Sequence, residues 1–403
     1  MGGQLRSKPW EHNDLSAPPA LRGVTVLDLG TVGPAARCTR LLADYGAQVI
    51  KVGAPPRKAG LQVDPHYHAY AASRFTKRVR LDLKAEEGKA LFKKLAERAD
   101  VVIESFRPGV VARLGIAYED LRPLNERIVY CSTSGYGQDG PMKTWAGHDI
   151  NYLAVGGYLH CTGRREDDGP ALPGATVADS AAGGMHATIA IMAALLRRNQ
   201  TGEGEYLDVS VAEGVLSLTS LNIDAHLATG AEPGPGCDIL TGRYACYDTY
   251  PAGDGKWLSV GAIEPGFYAN LCKALDCEKW ISHQLDDAVQ DEIRRDFRAA
   301  FRKKDRDEWA AELGPGDCCV APVLSMPEIA SDPHLVGRGV FSEARHPEHG
   351  VFRQVAPVLA GMNPVDGPVA VRPSSQTDTE ELLREAGLPA EAFEKLKSKG
   401  IVA

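Results

Sequence analysis

One short segment, residues 23–52, restricts the fold of this 403-residue chain more than any other. Its pattern predicts a buried apolar strand over 23–30, a helix over 35–45 that follows Pro34, and a second strand over 48–52. Two strands joined through a helix by connections this short run parallel, with a right-handed crossover. The chain therefore starts an open α/β domain built around a parallel sheet.

The same alternation of helix and strand continues further along the chain. A helix is predicted over 86–98 and strands over 101–104, 128–131 and 204–211, the last of them after an Ala-rich helix. Repeated units of this kind are typical of doubly wound sheets. We therefore predict an α/β protein whose large domain, over 21–230, is an open Rossmann-like parallel sheet.

The remaining segments are assigned by their composition. Residues 1–20 are polar and Pro-rich and are expected to form a flexible leader, and 231–242 is a Gly/Pro-rich linker. A small α+β domain is predicted over 243–335. A return linker and C-terminal helices over 336–403 are expected to pack on the large domain.

Two local signals mark elements after the large domain. The runs 244–250 and 256–261 flank a Gly-Asp-Gly turn, which is typical of a β-hairpin. The spacing of Thr377 and Glu380 predicts a capping box that opens a helix over 380–385.

Charge and cysteine content exclude several classes of protein. The 45 Lys and Arg residues against 53 Asp and Glu give a net charge of −8, which disfavours nonspecific binding of nucleic acid or acidic membranes. The nine cysteines include no paired Cys-x-x-Cys motifs, so no metal site is expected and the thiols suit a reducing, cytoplasmic setting. The apolar stretch 178–196 contains Ser180 and His186 and is predicted as a buried helix, not a membrane span.

The glycines after the first strand do not make a dinucleotide site. Their spacing is Gly30-x-x-Gly33, whereas the dinucleotide fingerprint needs three glycines and an acidic residue at the end of the second strand. That end carries Gly53 here. A nicotinamide-dependent enzyme is therefore disfavoured even though the architecture is similar.

His148 and Asp149 precede an apolar run that is predicted to be a helix. Helix capping explains Asp149, and a polar surface position explains His148. The alternative is that a neutral imidazole at the helix start moves a proton during a reaction. The residues alone leave both interpretations open.

Two further carboxylates stand at predicted helix starts. Asp179 precedes a helix rich in small residues, in which Gly183 and Gly184 leave the backbone open to close approach by a ligand or a second chain. Glu264 follows an apolar strand and precedes Pro265. Each carboxylate has a simple interpretation as a helix cap, and neither is specific alone.

Taken together, these stretches resemble the family III CoA-transferases. The resemblance runs from about Leu21 to near the C-terminus, and the segment 178–184 marks the family as a whole. The segments 147–152 and 261–264 together resemble the α-methylacyl-CoA racemase branch in particular. The other matching stretches are 81–84, 104–109, 113–115, 134–141, 201–205 and 319–323.

The resemblance implies a racemase or epimerase that acts on 2-methyl-branched acyl-CoA thioesters. His148 and Asp179 would be the two bases that remove the α-proton and return it to either face of a planar enolate. Glu264 would orient His148, and Asp149 and Tyr152 would shape the site beside it. No cofactor is implied beyond the CoA part of the substrate.

A basic surface for the CoA phosphates is also implied. Arg107 and Arg113 match the family and suit bidentate phosphate contacts. For the weaker candidates, the alternative is a solvated charged surface. These weaker CoA-binding candidates are Lys51, Arg74, Lys77 and Arg78. Leu81 and Lys84, from the matching stretch 81–84, are also predicted to bind CoA.

One departure from the family concerns the end of the second strand. Relatives often carry an acidic and a basic residue where this chain has Gly53 and Ala54. One phosphate contact is therefore either missing or supplied by Arg57 or Lys58.

Two other functions fit the same residues. In the transferase branch the residue matching Asp179 is a nucleophile, so an acyl-CoA:carboxylate CoA-transferase is the first alternative. That alternative does not require His148 or Glu264. A CoA-binding protein without activity is the second alternative, although such a protein could lose His148, Asp179 and Glu264, all of which are present. The resemblance further implies an interlocked homodimer with each site formed between the large domain of one subunit and the small domain of the other. The acyl group itself is not encoded in the order of residues.

Overall fold

The computed structural model describes most of the chain. The predicted leader lies outside the described residues up to position 17, and so do Arg57 and Lys58. The described residues are 18–30, 32–56, 74–347, 350–365, 367–373 and 375–403.

The described residues contain a six-stranded parallel sheet. Its strands are β1 Thr25–Asp28, β2 Gln48–Gly53, β3 Thr76–Arg80, β4 Val101–Glu104, β5 Val129–Ser134 and β6 Tyr206–Ser210. They pair in the order β3-β2-β1-β4-β5-β6, and every neighbouring pair is parallel. The order reverses between β1 and β4, as it does in doubly wound sheets. The predicted α/β, Rossmann-like fold class is confirmed.

Sixteen α-helical segments are found within the described ranges, the seventh of which begins with a π-helical stretch over Ala178–Met185. In chain order they are α1 Gly33–Asp44, α2 Glu86–Ala96, α3 Val110–Leu114, α4 Tyr118–Leu121, α5 Asp149–Val155, α6 Tyr158–Cys161, α7 Ala178–Thr201, α8 Val211–Leu218, α9 Ser220–Thr229, α10 Pro265–Ala274, α11 Gln290–Phe301, α12 Arg306–Leu313, α13 Met326–Ser331, α14 Pro333–Gly337, α15 Thr379–Glu385 and α16 Ala390–Ser398. Short 3₁₀ turns lie at Ile239–Thr241, Glu278–His283, Asp287–Val289 and Gly314–Gly316.

Helices cover both faces of the parallel sheet. Leu42 of α1 and Ile191 of α7 are fully buried against one face. Phe92 of α2 and Leu383 of α15 are fully buried against the other. Because both faces are covered, the strands carry nearly continuous apolar runs, which is the signal that identified them in the sequence.

The chain divides into two compact units. The first contains the parallel sheet and consists of the residues up to 156 together with 175–217 and 336–403. The second consists of 157–174 and 218–335. The predicted large domain therefore differs from the first unit at 157–174 and after 217.

Local hydrogen bonds explain why these two segments belong to the second unit. Asn222 Nδ2 donates to Cys161 Sγ at 3.3 Å, and a ring nitrogen of His160 lies 3.0 Å from the carbonyl oxygen of Pro233. These contacts tie 157–174 to the segment that follows 217 rather than to the parallel sheet.

The second unit has its own sheet and core. Its strands are β7 Tyr247–Pro251, β8 Trp257–Gly261 and β9 Val320–Pro322. β8 pairs antiparallel with both neighbours, so the predicted hairpin is present. Behind it, Tyr250 stacks on Phe301 with ring centroids 5.2 Å apart, and both side chains are fully buried.

The prediction that 178–196 is a buried helix is wrong for one of its faces. Met185, Ile189 and Leu196 are 39%, 68% and 67% exposed, although the opposite side of α7 packs on the sheet. Of the helices in the described ranges, α7 alone has the length and apolar composition to cross a bilayer, and 44% of its most apolar window is buried.

Two further elements differ from the sequence-based expectation. Strand β3 was not predicted from the sequence, and neither was a sheet of β10 Phe341–His346, β11 Gly350–Val355 and β12 Val369–Ala370.

The predicted capping box at Thr377 is also wrong. Helix α15 begins one residue later than that box requires, after Asp378, and Thr377 Oγ1 donates to the carbonyl oxygen of Ala403 at 3.4 Å.

Candidate functional site

A cavity of about 900 Å³ opens in the first unit where three parallel strands end. Its walls come from the segments that follow β1, β4 and β5 and from the first turns of α1, α5 and α7. The carboxyl ends of strands at a point where the strand order reverses are the usual place for a ligand in an open α/β sheet. Of the predicted site residues, the cavity is lined by Arg107, His148, Asp149, Tyr152 and Asp179.

A single hydrogen bond joins the starts of two helices at this cavity. The backbone N–H of Asp179 in α7 donates to Asp149 Oδ1 at 2.8 Å. Asp149 is the first residue of α5, so it caps α7 and not the helix in which it lies. The residue at the N-cap position of α5 is His148, whose backbone N–H donates to Asn151 Oδ1 at 3.0 Å. The local capping interpretations of Asp149 and Asp179 are therefore both wrong.

The Asp179 carboxylate is half-enclosed and lies among charged groups. Its side chain is 18% exposed, and Arg37 Nη1 is 3.7 Å from its Oδ2. Burial raises the pKa of Asp179, the positive charge of Arg37 opposes that rise, the negative charge of Asp149 adds to it, and the charge of His148 opposes it. His148 is thus near enough to Asp179 to affect its ionisation.

Tyr152 packs against two glycine backbones in the cavity wall. A Cβ atom added to Gly135 would lie 2.3 Å from Tyr152 Cε1, and one added to Gly147 would lie 2.7 Å from the same atom. The hydroxyl group donates to the carbonyl oxygen of Gly147 at 2.6 Å. Burial, with the negative charge of Asp179 as the next contribution, raises the pKa of Tyr152 to about 12. Tyr152 is therefore a neutral wall residue at physiological pH.

Gly183 and Gly184 shape the cavity indirectly. A Cβ atom on Gly183 would lie 2.7 Å from Pro34 Cβ, and one on Gly184 would lie 2.8 Å from Arg37 Cβ. These glycines thus allow α1 to pack tightly against the start of α7. They bring Arg37 next to Asp179 and do not themselves line the cavity.

Buried Glu104 positions the loop that carries Arg107. Glu104 is 1% exposed and its Oε2 accepts from the backbone N–H of Phe106 at 2.7 Å. Burial raises the pKa of Glu104 to about 7, although hydrogen bonds from Ser132 and Phe106 oppose the rise. Arg107 follows at the cavity edge with an exposed side chain.

The remaining basic candidates lie outside the cavity lining, and several are engaged in other contacts. Lys51 forms a short ion pair with buried Asp28. Lys77 Nζ donates to Glu381 at 2.8 Å, which raises the pKa of Lys77. Arg78 Nη1 donates to the carbonyl oxygen of Pro373 at 2.6 Å. These side chains hold the sheet and the C-terminal segment together.

The other predicted CoA-binding residues vary in exposure. Leu81 is buried and forms a bridge with Val402, whereas Lys84 and Arg113 are exposed. Arg113 lies close to the Arg107 loop, because a Cβ atom on Gly109 would be 3.4 Å from Arg113 Nη1. Arg113 is therefore better placed than Lys84 to bind a phosphate next to Arg107.

Arg74 has a structural role. Its side chain is 2% exposed, and its Nε and Nη2 both donate to the buried carboxylate of Asp44, the Nε at 2.7 Å. Its Nη1 donates to the carbonyl oxygen of Val355 at 2.6 Å. This burial argues against a direct contact between Arg74 and a CoA phosphate.

At Gly53, where this chain differs from many members of the family, a basic side chain from β3 lies close to the backbone. Arg80 is the register partner of Gly53, and a Cβ atom on Gly53 would lie 2.5 Å from Arg80 Nη1. The glycine at this position therefore makes room for a guanidinium group from the neighbouring strand.

Glu264 lies in the second unit. It is the exposed N-cap residue of α10 and its side chain makes no capping hydrogen bond. The cavity of the first unit is lined without it, and its predicted role toward His148 stays a prediction.

The polar residues of the cavity that sequence reasoning missed include Arg37, Lys143 and Ser134. The Ser134 hydroxyl is buried and has no hydrogen-bond partner within the described ranges. Arg37 lies near the start of α1, and no local sequence signal links that position to Asp179. The cations available for a phosphate at the cavity are Arg107 and Lys143, and the described residues hold no group of three or more potential metal ligands.

Comparison with known proteins identifies the family. The family model described as CoA-transferase family III matches residues 21–379, which is most of the chain. The chain belongs to CoA-transferase family III. The matched residues include all six strands of the parallel sheet.

Two curated members of family III show the range of activities among its relatives. Human alpha-methylacyl-CoA racemase is 34% identical over 384 residues, covering 95% of this chain and 97% of the relative. Human succinyl-CoA:glutarate CoA-transferase is 28% identical over 361 residues, covering 86% of this chain and 81% of the relative.

A solved structure has the same fold. A CAIB/BAIF family protein from Brucella suis superposes with a TM-score of 0.72 at 24% identity, covering 92% of this chain and all of the other. At this level of identity the likeness concerns the fold.

The burial of Arg74 predicts a large effect on stability. Arg74→Met would leave the buried Asp44 carboxylate, among the described residues, with Arg40 as its remaining ionic partner, whose Nε is 4.0 Å from Asp44 Oδ2. We expect the free energy of unfolding, measured by urea denaturation, to fall by about 3 kcal/mol. The matched variant Lys84→Met, at an exposed position, should change it by less than about 0.5 kcal/mol. A stable Arg74→Met protein with weakened CoA binding would contradict this assignment.

Proposed function

We propose that this family III protein racemises 2-methyl-branched acyl-CoA thioesters by removing and returning the proton on the α-carbon. The observation that carries the proposal is that His148 and Asp179 line one cavity and are linked through Asp149. Two bases are needed because a single base returns the proton only to the face from which it took it. An imidazole and a carboxylate at one cavity meet that requirement.

The proposed reaction needs the two bases to share one proton. One base must be deprotonated to abstract the α-proton, while the other must be protonated to deliver one to the opposite face. A pair that holds two protons or none is inactive, so the rate should fall on both sides of a pH optimum. Burial of Asp179 favours this sharing, because it moves the pKa of the carboxyl group upward toward that of an imidazole.

The enolate oxygen needs hydrogen-bond donors fixed in advance. Two N–H groups at the start of α7 are already used: Asp179 N–H donates to Asp149, and Ser180 N–H donates to the carbonyl oxygen of Thr176. The first turn of α1 is the better source, since Gly33 lines the cavity, its N–H group lies at a helix start where it is not used within the helix, and the helix dipole there is positive.

The racemase proposal is tested by deuterium uptake. In D₂O and without an acceptor acid, a single enantiomer of a 2-methylacyl-CoA should exchange its α-hydrogen for deuterium. Asp179→Asn and His148→Ala should each lower that exchange by roughly 10²–10⁴-fold, because each removes a positioned proton-transfer group. Affinity for CoA itself should stay near that of the unchanged protein. Mass spectrometry of the recovered thioester measures the uptake.

The same assay distinguishes CoA transfer. The relatives include a succinyl-CoA:glutarate CoA-transferase. If this chain transferred CoA, the Asp179 carboxylate, which lies in the cavity, would be the nucleophile. Transfer of CoA to an added carboxylic acid, with no α-exchange in its absence, would replace the racemase proposal with this alternative.

We propose that Arg107 binds a phosphate group of the CoA part. Arg107→Gln should raise KM for the thioester by about tenfold while kcat stays nearly constant, because a charge-assisted hydrogen bond to the non-reacting part of the substrate is lost. Lys77→Gln is the matched control and should leave KM unchanged, since Lys77 is held by Glu381. Steady-state kinetics on both variants measures this, and equal effects at the two positions would contradict the assignment.

We also propose that the protein is a homodimer. The exposed face of α7 carries Met185, Ile189, Ala193 and Leu196, which is an unusual apolar strip for a monomer's surface. A second copy of the chain covering this face would remove it from water.

The homodimer predicts a mass change on substitution of that face. Ile189→Glu should shift the mass measured by light scattering after size-exclusion chromatography from two chains toward one, because a buried charge opposes association. Lys94→Glu introduces the same side chain on α2, on the opposite face of the sheet, and should leave the mass unchanged. A monomeric mass for the unsubstituted protein would refute the dimer.

A further inference from the structure

Arg37 is the charged residue in direct ionic contact with the Asp179 carboxylate. Its guanidinium group is anchored by hydrogen bonds from three nitrogens: Nε donates to Ser180 Oγ at 3.0 Å, Nη2 to Thr176 Oγ1 at 2.8 Å and Nη1 to the carbonyl oxygen of Gly33 at 3.3 Å. Nη1 also lies 3.7 Å from Asp179 Oδ2. The side chain is 27% exposed and lines the cavity.

These contacts connect the first turn of α1 to both sides of Asp179 in the chain. Thr176 and Ser180 flank the carboxylate, and their hydroxyl groups lie 3.3 Å apart. Because the guanidinium is planar and its donors are fixed relative to one another, it orients the segment as well as neutralising charge. Lysine would supply the charge without this fork.

We propose that Arg37 is a positioning residue that holds Asp179 as a carboxylate and fixes its orientation toward the reacting carbon. The inference rests on the proposed proton-transfer function, and it adds a residue that sets when one of the two bases is ionised. Arg37 acts through Asp179 and takes no proton itself, since a guanidinium stays protonated at all working pH values.

The charges around Asp179 decide in which direction its pKa moves when the charge of Arg37 is removed. The groups that face it are Arg37 from α1 and His148, Asp149 and Tyr152 from α5. Burial and Asp149 favour the neutral carboxyl form, whereas Arg37 and His148 favour the carboxylate. Removing the Arg37 charge therefore raises the pKa of Asp179, and the acid side of the rate profile moves to higher pH.

The test is the pH profile of α-deuterium exchange for three variants. Arg37→Met should move the acid limb of kcat/KM upward by about one pH unit, with about tenfold slower exchange below the limb and recovery above it. Arg37→Lys keeps the positive charge, so its acid limb should lie close to that of the unsubstituted protein. Arg197→Gln removes an arginine from an exposed pair with Glu205, outside the cavity, and should leave the profile unchanged. Circular dichroism checks that each variant is folded.

A second measurement does not depend on activity. With ¹³C-labelled aspartate, the carboxyl carbon of Asp179, assigned by its loss in Asp179→Asn, should titrate about one pH unit higher in Arg37→Met than in the unsubstituted protein. If the unsubstituted protein shows no exchange but this midpoint moves, the proposed function fails and the role of Arg37 stands. An unmoved midpoint, or a loss of exchange that is equal at every pH, overturns the role of Arg37.

Discussion

The hydrogen bond from the Asp179 N–H group to the Asp149 carboxylate is the contact on which the candidate site depends. It joins the first residue of α5 to the first turn of α7 at 2.8 Å. A backbone N–H group at a helix start has no partner within its own helix, so a carboxylate from another helix both satisfies it and fixes the two helices relative to each other. His148 directly precedes Asp149 in the chain. The backbone positions of the two proposed bases are therefore linked through the Asp149 carboxylate.

The parallel sheet determines where that contact lies. Strands β1, β4 and β5 end at the same edge, and the strand order reverses there, so the segments after them diverge and leave a cavity. Close packing of α1 on the start of α7 requires a residue without a side chain at Gly183. That packing brings Arg37 to Asp179. The charge environment of the carboxylate is thus a consequence of how two helices cross.

The sheet could be predicted well from the sequence, except at its edge. Strands β1, β2, β4, β5 and β6 are short apolar runs between helical patterns, and all five are present. Strand β3 is rich in charge, and those charges are paired with residues far along the chain: Lys77 with Glu381, and the N–H of Arg78 with Asp378. Local pattern does not reveal such pairing. For the same reason, charge alone did not distinguish buried Arg74 from exposed Arg107.

Several residues of the candidate site could be predicted from the sequence, but the hydrogen bonds and ion pairs that join them could not. Resemblance to the family singled out His148, Asp149, Tyr152 and Asp179, and these residues do line one cavity. Local capping preferences gave the wrong partners for Asp149 and Asp179, because the actual hydrogen bond spans 30 residues and depends on tertiary packing. Arg37 was missed because its position in a first turn carries no local sign of its target.

The surroundings of Asp179 favour proton transfer over nucleophilic attack. A nucleophilic carboxylate must approach the thioester carbonyl and then carry the acyl group and the CoA group in turn, which requires freedom for the side chain to follow the reacting atom. Here the backbone of Asp179 is held by Asp149, and its carboxylate lies beside a guanidinium fixed by three hydrogen bonds. A base needs only to stay near one hydrogen atom in the right ionisation state. A held backbone and a pKa set by opposing charges suit those two conditions, which is why we propose proton transfer as the role of Asp179.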